Sequence, residues 1–181
     1  MTNARTRFRG KLILLLLLLV AAVTSCSKTA TGPSEPLSAS LSSQPLRLDP
    51  CTAVPPDQLS AVGLEVRIPN HYNGPFSEPN LKFAGCLVRY MSNPDVEFYL
   101  QATNITSDYL QATLAKSRTF HQVKIGTHDA TLATPHGSPG ECMLLVSMSD
   151  YRLLLDGSFP NKSCDLATDI ATKLIGVPQL Q

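Results

Sequence analysis

Five cysteines, at positions 26, 51, 86, 142 and 164, are the residues of this chain best suited to chemistry. A thiol can act as nucleophile, metal ligand or half of a disulfide, and spacing separates these uses. Zinc sites favour close pairs such as C-x-x-C. No two of Cys51, Cys86, Cys142 and Cys164 stand anywhere near that close, which argues against a metal. The four histidines, His71, His121, His128 and His136, also fit no metal-binding spacing. His128-Asp129 reads as turn chemistry, and His136 falls in the loop 134–140. G-x-S-x-G is absent, and Ser25-Cys-Ser-Lys28 matches Ser-x-x-Lys in letters only. The ten glycines are scattered and form no phosphate loop. Asp95 and Glu97 read as a solvated strand face, and Lys116, Arg118 and Lys124 as a small basic cluster around one loop. The sequons Asn104-Ile-Thr106 and Asn161-Lys-Ser163 read as chance. No motif calls for a cofactor or a metal, and the expectation is a protein that is not an enzyme.

Cys26 stands apart from the other four. Arg5, Arg7, Arg9 and Lys11 precede an unbroken apolar run, Leu12–Val23. A basic start, a short apolar run and small residues ahead of a cut describe an export signal over residues 1–25. The run is too short for a comfortable membrane span, which needs about 20 residues. Val23-Thr24-Ser25-Cys26 resembles the bacterial lipobox. That resemblance implies cleavage before Cys26 and attachment of a diacylglyceryl group to its sulfur. Each buried methylene contributes about 0.8 kcal/mol, so two or three acyl chains hold a protein far more firmly than one.

Behind Cys26 the composition changes twice. More than half of residues 27–48 are Ser, Thr, Pro or Gly, with no aromatic among them. Such a segment buries too little surface to offset its ordering entropy, so 26–48 reads as the lipidated cysteine and a tether reaching roughly 25 Å. From Asp49 to Gln181 the sequence reads as one folded domain. Residues 26–181 hold 11 Lys+Arg against 14 Asp+Glu, a net of −3, which argues against nucleic acid as a partner.

The elements expected within 49–181 follow from periodicity and punctuation. Pro55-Pro56 and Gly63 bracket a short helix, and Leu64–Ile68 alternates as a half-buried strand should. Residues 69–81 read as a loop. Cys86–Met91 and Val96–Ala102 form a hairpin about Ser92–Asp95. A helix follows over Ser107–Lys116, capped by Thr106 or Ser107. Gln122–Ile125 and Ala130–Ala133 make a second hairpin about residues 126–129. Cys142–Met148 and Tyr151–Gly157 make a third about Ser149-Asp150. Leu166, Ile170 and Leu174 share one face of a last helix, Asp165–Ile175, stopped by Gly176 and Pro178. The expected class is α+β, a mostly antiparallel sheet packed against helices.

An even set of four cysteines in an exported domain suits two disulfides. Of the three possible connectivities, the third hairpin selects one. It sets Cys142 opposite about residue 157, so a short loop returns Cys164 to Cys142 and leaves Cys51 for Cys86. Each closed loop is worth roughly 3–4 kcal/mol in the chain-entropy account.

Several features combine here. They are the lipobox, the Ser/Pro-rich tether, Asp49-Pro50-Cys51 entering a short helix, Gly85-Cys86 opening a strand, Glu141-Cys142, and Cys164-Asp-Leu-Ala167. Together, over residues 48–176, they resemble the actinobacterial lipoproteins grouped as domain-of-unknown-function family 3558. Many members carry tryptophan two residues after the second cysteine; Val88 stands there, and the chain has no tryptophan. The resemblance implies a PsbP/Mog1-type fold and no established activity. The expected function is a lipoprotein anchored by Cys26 to the extracytoplasmic face of the cell membrane. It would act as a binding module for an envelope protein or a lipid-like ligand. The alternative is a carrier or sensor of apolar ligands, with a cavity between sheet and helices.

Overall fold

The computed structural model describes residues 46, 48–69, 76, 79–137, 140–159 and 164–181, all within the unit Pro36–Gln181. The expected leader, Cys26, nearly all of the tether, His71 and most of the 69–81 loop lie outside the described residues. Among the described residues there are four α-helices, α1 (Pro50–Ala53), α2 (Pro56–Ala61), α3 (Ser107–Leu114) and α4 (Asp165–Leu174), with a 3₁₀ turn at Pro178–Leu180. The strands are β1 (Leu64–Ile68), β2 (Phe83–Tyr90), β3 (Glu97–Thr103), β4 (Arg118–Ile125), β5 (His128–Pro135), β6 (Glu141–Ser147) and β7 (Arg152–Ser158). They form one sheet in the order β1-β2-β3-β7-β6-β5-β4, with every pair antiparallel. This is the expected α+β class.

Alternation along each strand sorts side chains onto two faces. One face carries Leu64, Val88, Leu100, Leu155 and Leu144, packed under Leu59 of α2 and Ile170 and Leu174 of α4. The other carries Leu154, Met143, Leu145 and Ala133, covered by Ile105, by Tyr109 and Leu110 of α3, and by Phe76. The centre of the sheet is therefore closed on both sides. Leu46 and Leu48 also pack on the first core, so ordered packing begins ahead of Asp49.

Caps and punctuation place the helices. The Asp49 carboxylate accepts from the Cys51 N–H at 2.9 Å and starts α1. The Thr106 hydroxyl accepts from the Tyr109 N–H at 3.2 Å and starts α3, which decides between the two expected caps. Gly63, at φ +85°, ends the turn after α2, and its carbonyl accepts from the Met91 N–H at 2.8 Å. Two disulfides then fix helices to strands. Cys51–Cys86 ties α1 to β2, and Cys142–Cys164 ties β6 to the entry of α4, with Cα separations of 6.1 and 5.8 Å. The expected pairing therefore holds, and its geometric reason holds as well, because Cys142 lies opposite Gly157.

The second hairpin is longer than expected. Its turn contains only Gly126 and Thr127, and His128 and Asp129 already belong to β5. Gly126 adopts φ +58°, which allows the tight turn, and a Lys124–Asp129 ion pair at 2.6 Å spans the ladder beside it. Arg118–His121 likewise extends the ladder at its other end.

Gly85 lies opposite Gln101, and a Cβ built on it would sit 2.1 Å from the Leu100 carbonyl oxygen. Backbone cannot yield as a flexible side chain can. Gly85→Ala is therefore expected to lower stability by about 2–3 kcal/mol, measured as the shift in urea midpoint at constant m-value.

Candidate functional site: a polar row across the sheet

Among the described residues, α3 and Phe76 cover the middle of the second face of the sheet. Its outer end, where β2 meets β3 and β6 begins, carries a line of polar side chains. Glu65 lies opposite Arg89, and Arg89 opposite Glu97. Across the sheet the same level continues through Ser158 and Glu141 to Pro135 and Arg118. Two residues further in, Tyr99 faces Asp156, and Asp156 faces Met143. Two-residue strand periodicity brings all of these to one face; nothing in the linear spacing groups them.

Two electrostatic environments share this row. At the β1–β3 end, the Arg89 Nη2 donates to Glu65 Oε2 at 2.5 Å and its Nε at 3.2 Å. Arg67 lies 3.7 Å from Glu65 and 3.6 Å from Glu97. The hydrogen bond from Arg89 holds the Glu65 carboxyl below its ordinary range. These side chains are substantially exposed, so the array orients charge more than it stabilises the fold.

Asp156 is the different member. It is half-buried on a strand whose neighbours Leu153, Leu154 and Leu155 are buried. Burial pushes its carboxyl up from 3.8 to about 6, while the Arg118 charge draws it down and Glu141 pushes it up. No described residue donates a hydrogen bond to it. The Arg118 guanidinium instead donates to the Ala133 carbonyl at 3.4 Å.

The residues singled out from sequence do not converge on this row. Cys51–Cys86 and Cys142–Cys164 sit on the opposite face, with β3 and β7 between them. His128 Nδ1 lies 3.0 Å from the Ser147 carbonyl oxygen and serves β5–β6 structure, while its neighbour Asp129 pairs with Lys124. His136 is exposed, and its backbone N–H donates to the Ser117 carbonyl at 2.9 Å. Asp95 lies in the β2–β3 turn and only Glu97 is in the strand, so the two do not share a strand face. Lys116, Arg118 and Lys124 do not surround one loop either. Arg118 and Lys124 are near opposite ends of β4, because that strand is eight residues long where four were expected. Among the described residues, no group of three His, Cys, Asp or Glu could hold a metal ion.

Asp156 and Tyr99 escaped notice in the sequence. The available signal was a single acid ending the apolar run Leu153-Leu-Leu155. Its significance depends on what lies on the adjacent strands.

The described residues thus form a disulfide-bonded α+β domain with a polar row on one sheet face. The chain belongs to the family described as Protein of unknown function (DUF3558), whose model matches residues 21–176. No curated protein and no solved structure matches it. Among the described residues, no helix is long and apolar enough to cross a membrane.

Asp156 binds its proton more tightly folded than unfolded. Its contribution to stability is therefore full below about pH 4 and declines as pH rises through about 6. Asp156→Asn removes that decline. The variant is expected to be more stable than wild type by ~2 kcal/mol at pH 7 and nearly equal at pH 3.5. Urea denaturation at the two pH values measures the difference, and an equal gain at both would refute the assignment.

Proposed function

We propose that this is an exported, lipid-anchored protein of the cell envelope whose folded domain is a non-enzymatic binding module. One observation carries the reading. The four domain cysteines are all paired, and Cys26 is the one cysteine of the sequence outside those four. Disulfides form and persist in oxidising compartments, so the pairing supports maturation outside the cytoplasm. The basic start and apolar run ahead of Cys26 supply the route, and the family match, beginning at residue 21, takes in Cys26. Helices on both faces of an antiparallel sheet support the PsbP/Mog1 type of fold, and the family match supports the actinobacterial lipoprotein group implied by the resemblance.

Binding at the surface is favoured over carriage in the interior. Leu100, Leu144, Leu153 and Leu155 are fully buried between sheet and helices, whereas the Glu65–Arg89–Glu97 array and Asp156 reach solvent. The partner meets the polar row, where paired charges on rigid strands can match a complementary surface.

In cells given radiolabelled palmitate, wild-type protein is expected to carry label and partition with membranes. Cys26→Ala is expected to do neither and to keep its leader. Equal labelling of the two proteins would sink the proposal. Non-reducing peptide mapping of the mature chain is expected to find Cys51 joined to Cys86, Cys142 joined to Cys164, and no free thiol among them.

A further inference from the structure

The sheet has two edges, and they are built differently. The β1 edge is five residues long, and its register breaks between Val66 and Ile68. A short, bulged edge resists pairing with another chain. The β4 edge is eight residues long, contains no proline, and keeps unbroken register with β5 from Arg118 to Ile125.

The turn fixes which backbone groups face outward. Ile125 and His128 flank a two-residue turn and so form a hydrogen-bonded pair. Alternation then directs the N–H and C=O groups of Val123, His121 and Thr119 toward β5. Those of Lys124, Gln122, Phe120 and Arg118 point away from the sheet. Among the described residues, no backbone group of 118–125 bonds to anything except β5. Thr119, His121, Gln122 and Lys124 are exposed, so the edge is accessible.

Charge says what fits. Arg118 and Lys124 lie on β4 and Lys116 just before it, while β4 itself carries no acid. Asp129 of β5 answers Lys124 alone. Antiparallel pairing of two copies centred on His121 would set Arg118 against Lys124 twice, and like charges directly opposite are destabilising. The same cations that oppose self-stacking attract an acidic strand.

We propose that the open edge of β4 is a docking site for an extended, acidic segment of a partner protein, which joins the sheet as a further strand. Main-chain hydrogen bonds supply affinity. Phe120 on one face, with His121 and Val123 on the other, reads alternate side chains of the segment, while Gln122 contributes only its backbone. This surface meets the polar row only at Arg118 and stands whether or not Cys26 carries lipid.

The test selects binders from a random dodecapeptide library against the full chain with its disulfides intact. The selected peptides are expected to be acidic, with polar and apolar residues alternating. Amide hydrogen exchange is expected to slow at Arg118, Phe120, Gln122 and Lys124, with the amides already bonded to β5 unchanged. Gln122→Pro removes one outward N–H and no sheet bond, and is expected to abolish binding. Gln122→Ala loses only the side chain's contact with Thr131, at 3.2 Å, and is expected to bind as wild type does. Should the proline variant fail to fold, Lys116→Gln/Lys124→Gln takes its place, with acidic peptides expected to bind about tenfold more weakly. Neutral or basic winners, protection elsewhere on the chain, association of the chain with itself through β4, or no winners at all would each overturn the proposal.

Discussion

The middle of the sheet is buried from above and below, and the other features of the molecule follow from that. Every side chain from Cys142 to Val146 on β6 is fully buried, as are Leu153 and Leu155 on β7. A strand in that position needs cover on both faces. The elements available as cover are short: helices of four, six, eight and ten residues. Helices of that length hold their shape only when packed. The disulfides answer this difficulty on one face by joining α1 and the start of α4 covalently to the strands beneath. On the other face a hydrogen bond helps seat the helix, with Thr131 donating to Ser107 at 2.8 Å where α3 begins.

The two faces consequently differ in composition. The stapled face is apolar across the sheet and reads as architecture. Among the described residues, the other face is closed in its middle by α3 and Phe76, and charged side chains lie beyond them. Tyr151 shows how the fold treats a polar group it can satisfy. Its hydroxyl donates to the Leu180 carbonyl at 2.7 Å, and burial pushes its pKa up to about 12, so it stays neutral while locking the C-terminal turn. Asp156 receives no such satisfaction from described residues and sits where a partner's groups could supply it. The contrast between these two residues supports the proposal that the polar row meets a partner.

Sheet edges complete the surface. An open sheet has two exposed margins, and a protein built on one must keep them from stacking. The bulge at β1 and the cations at β4 are different solutions. Only the second leaves the backbone accessible to a partner of the right charge.

Much of this fold was legible from one sequence. Strict alternation in Leu64–Ile68 and Val96–Ala102 and the helical spacing of Leu166, Ile170 and Leu174 are local patterns, and local patterns survive tertiary packing. The pairing of Cys142 with Cys164 was also legible, because a hairpin converts sequence distance into spatial position. Other features required the folded chain. Asp156 is an ordinary acid until Tyr99, Met143, Arg118 and Glu141 arrive from three other strands. The pairing of β3 with β7, which are far apart along the chain, is a choice among non-local pairings that no local pattern encodes. The sequence by itself therefore determined the pairing of the domain cysteines and most of the elements. The tertiary structure alone decided which polar residues meet, because their meeting depends on register between strands remote in sequence.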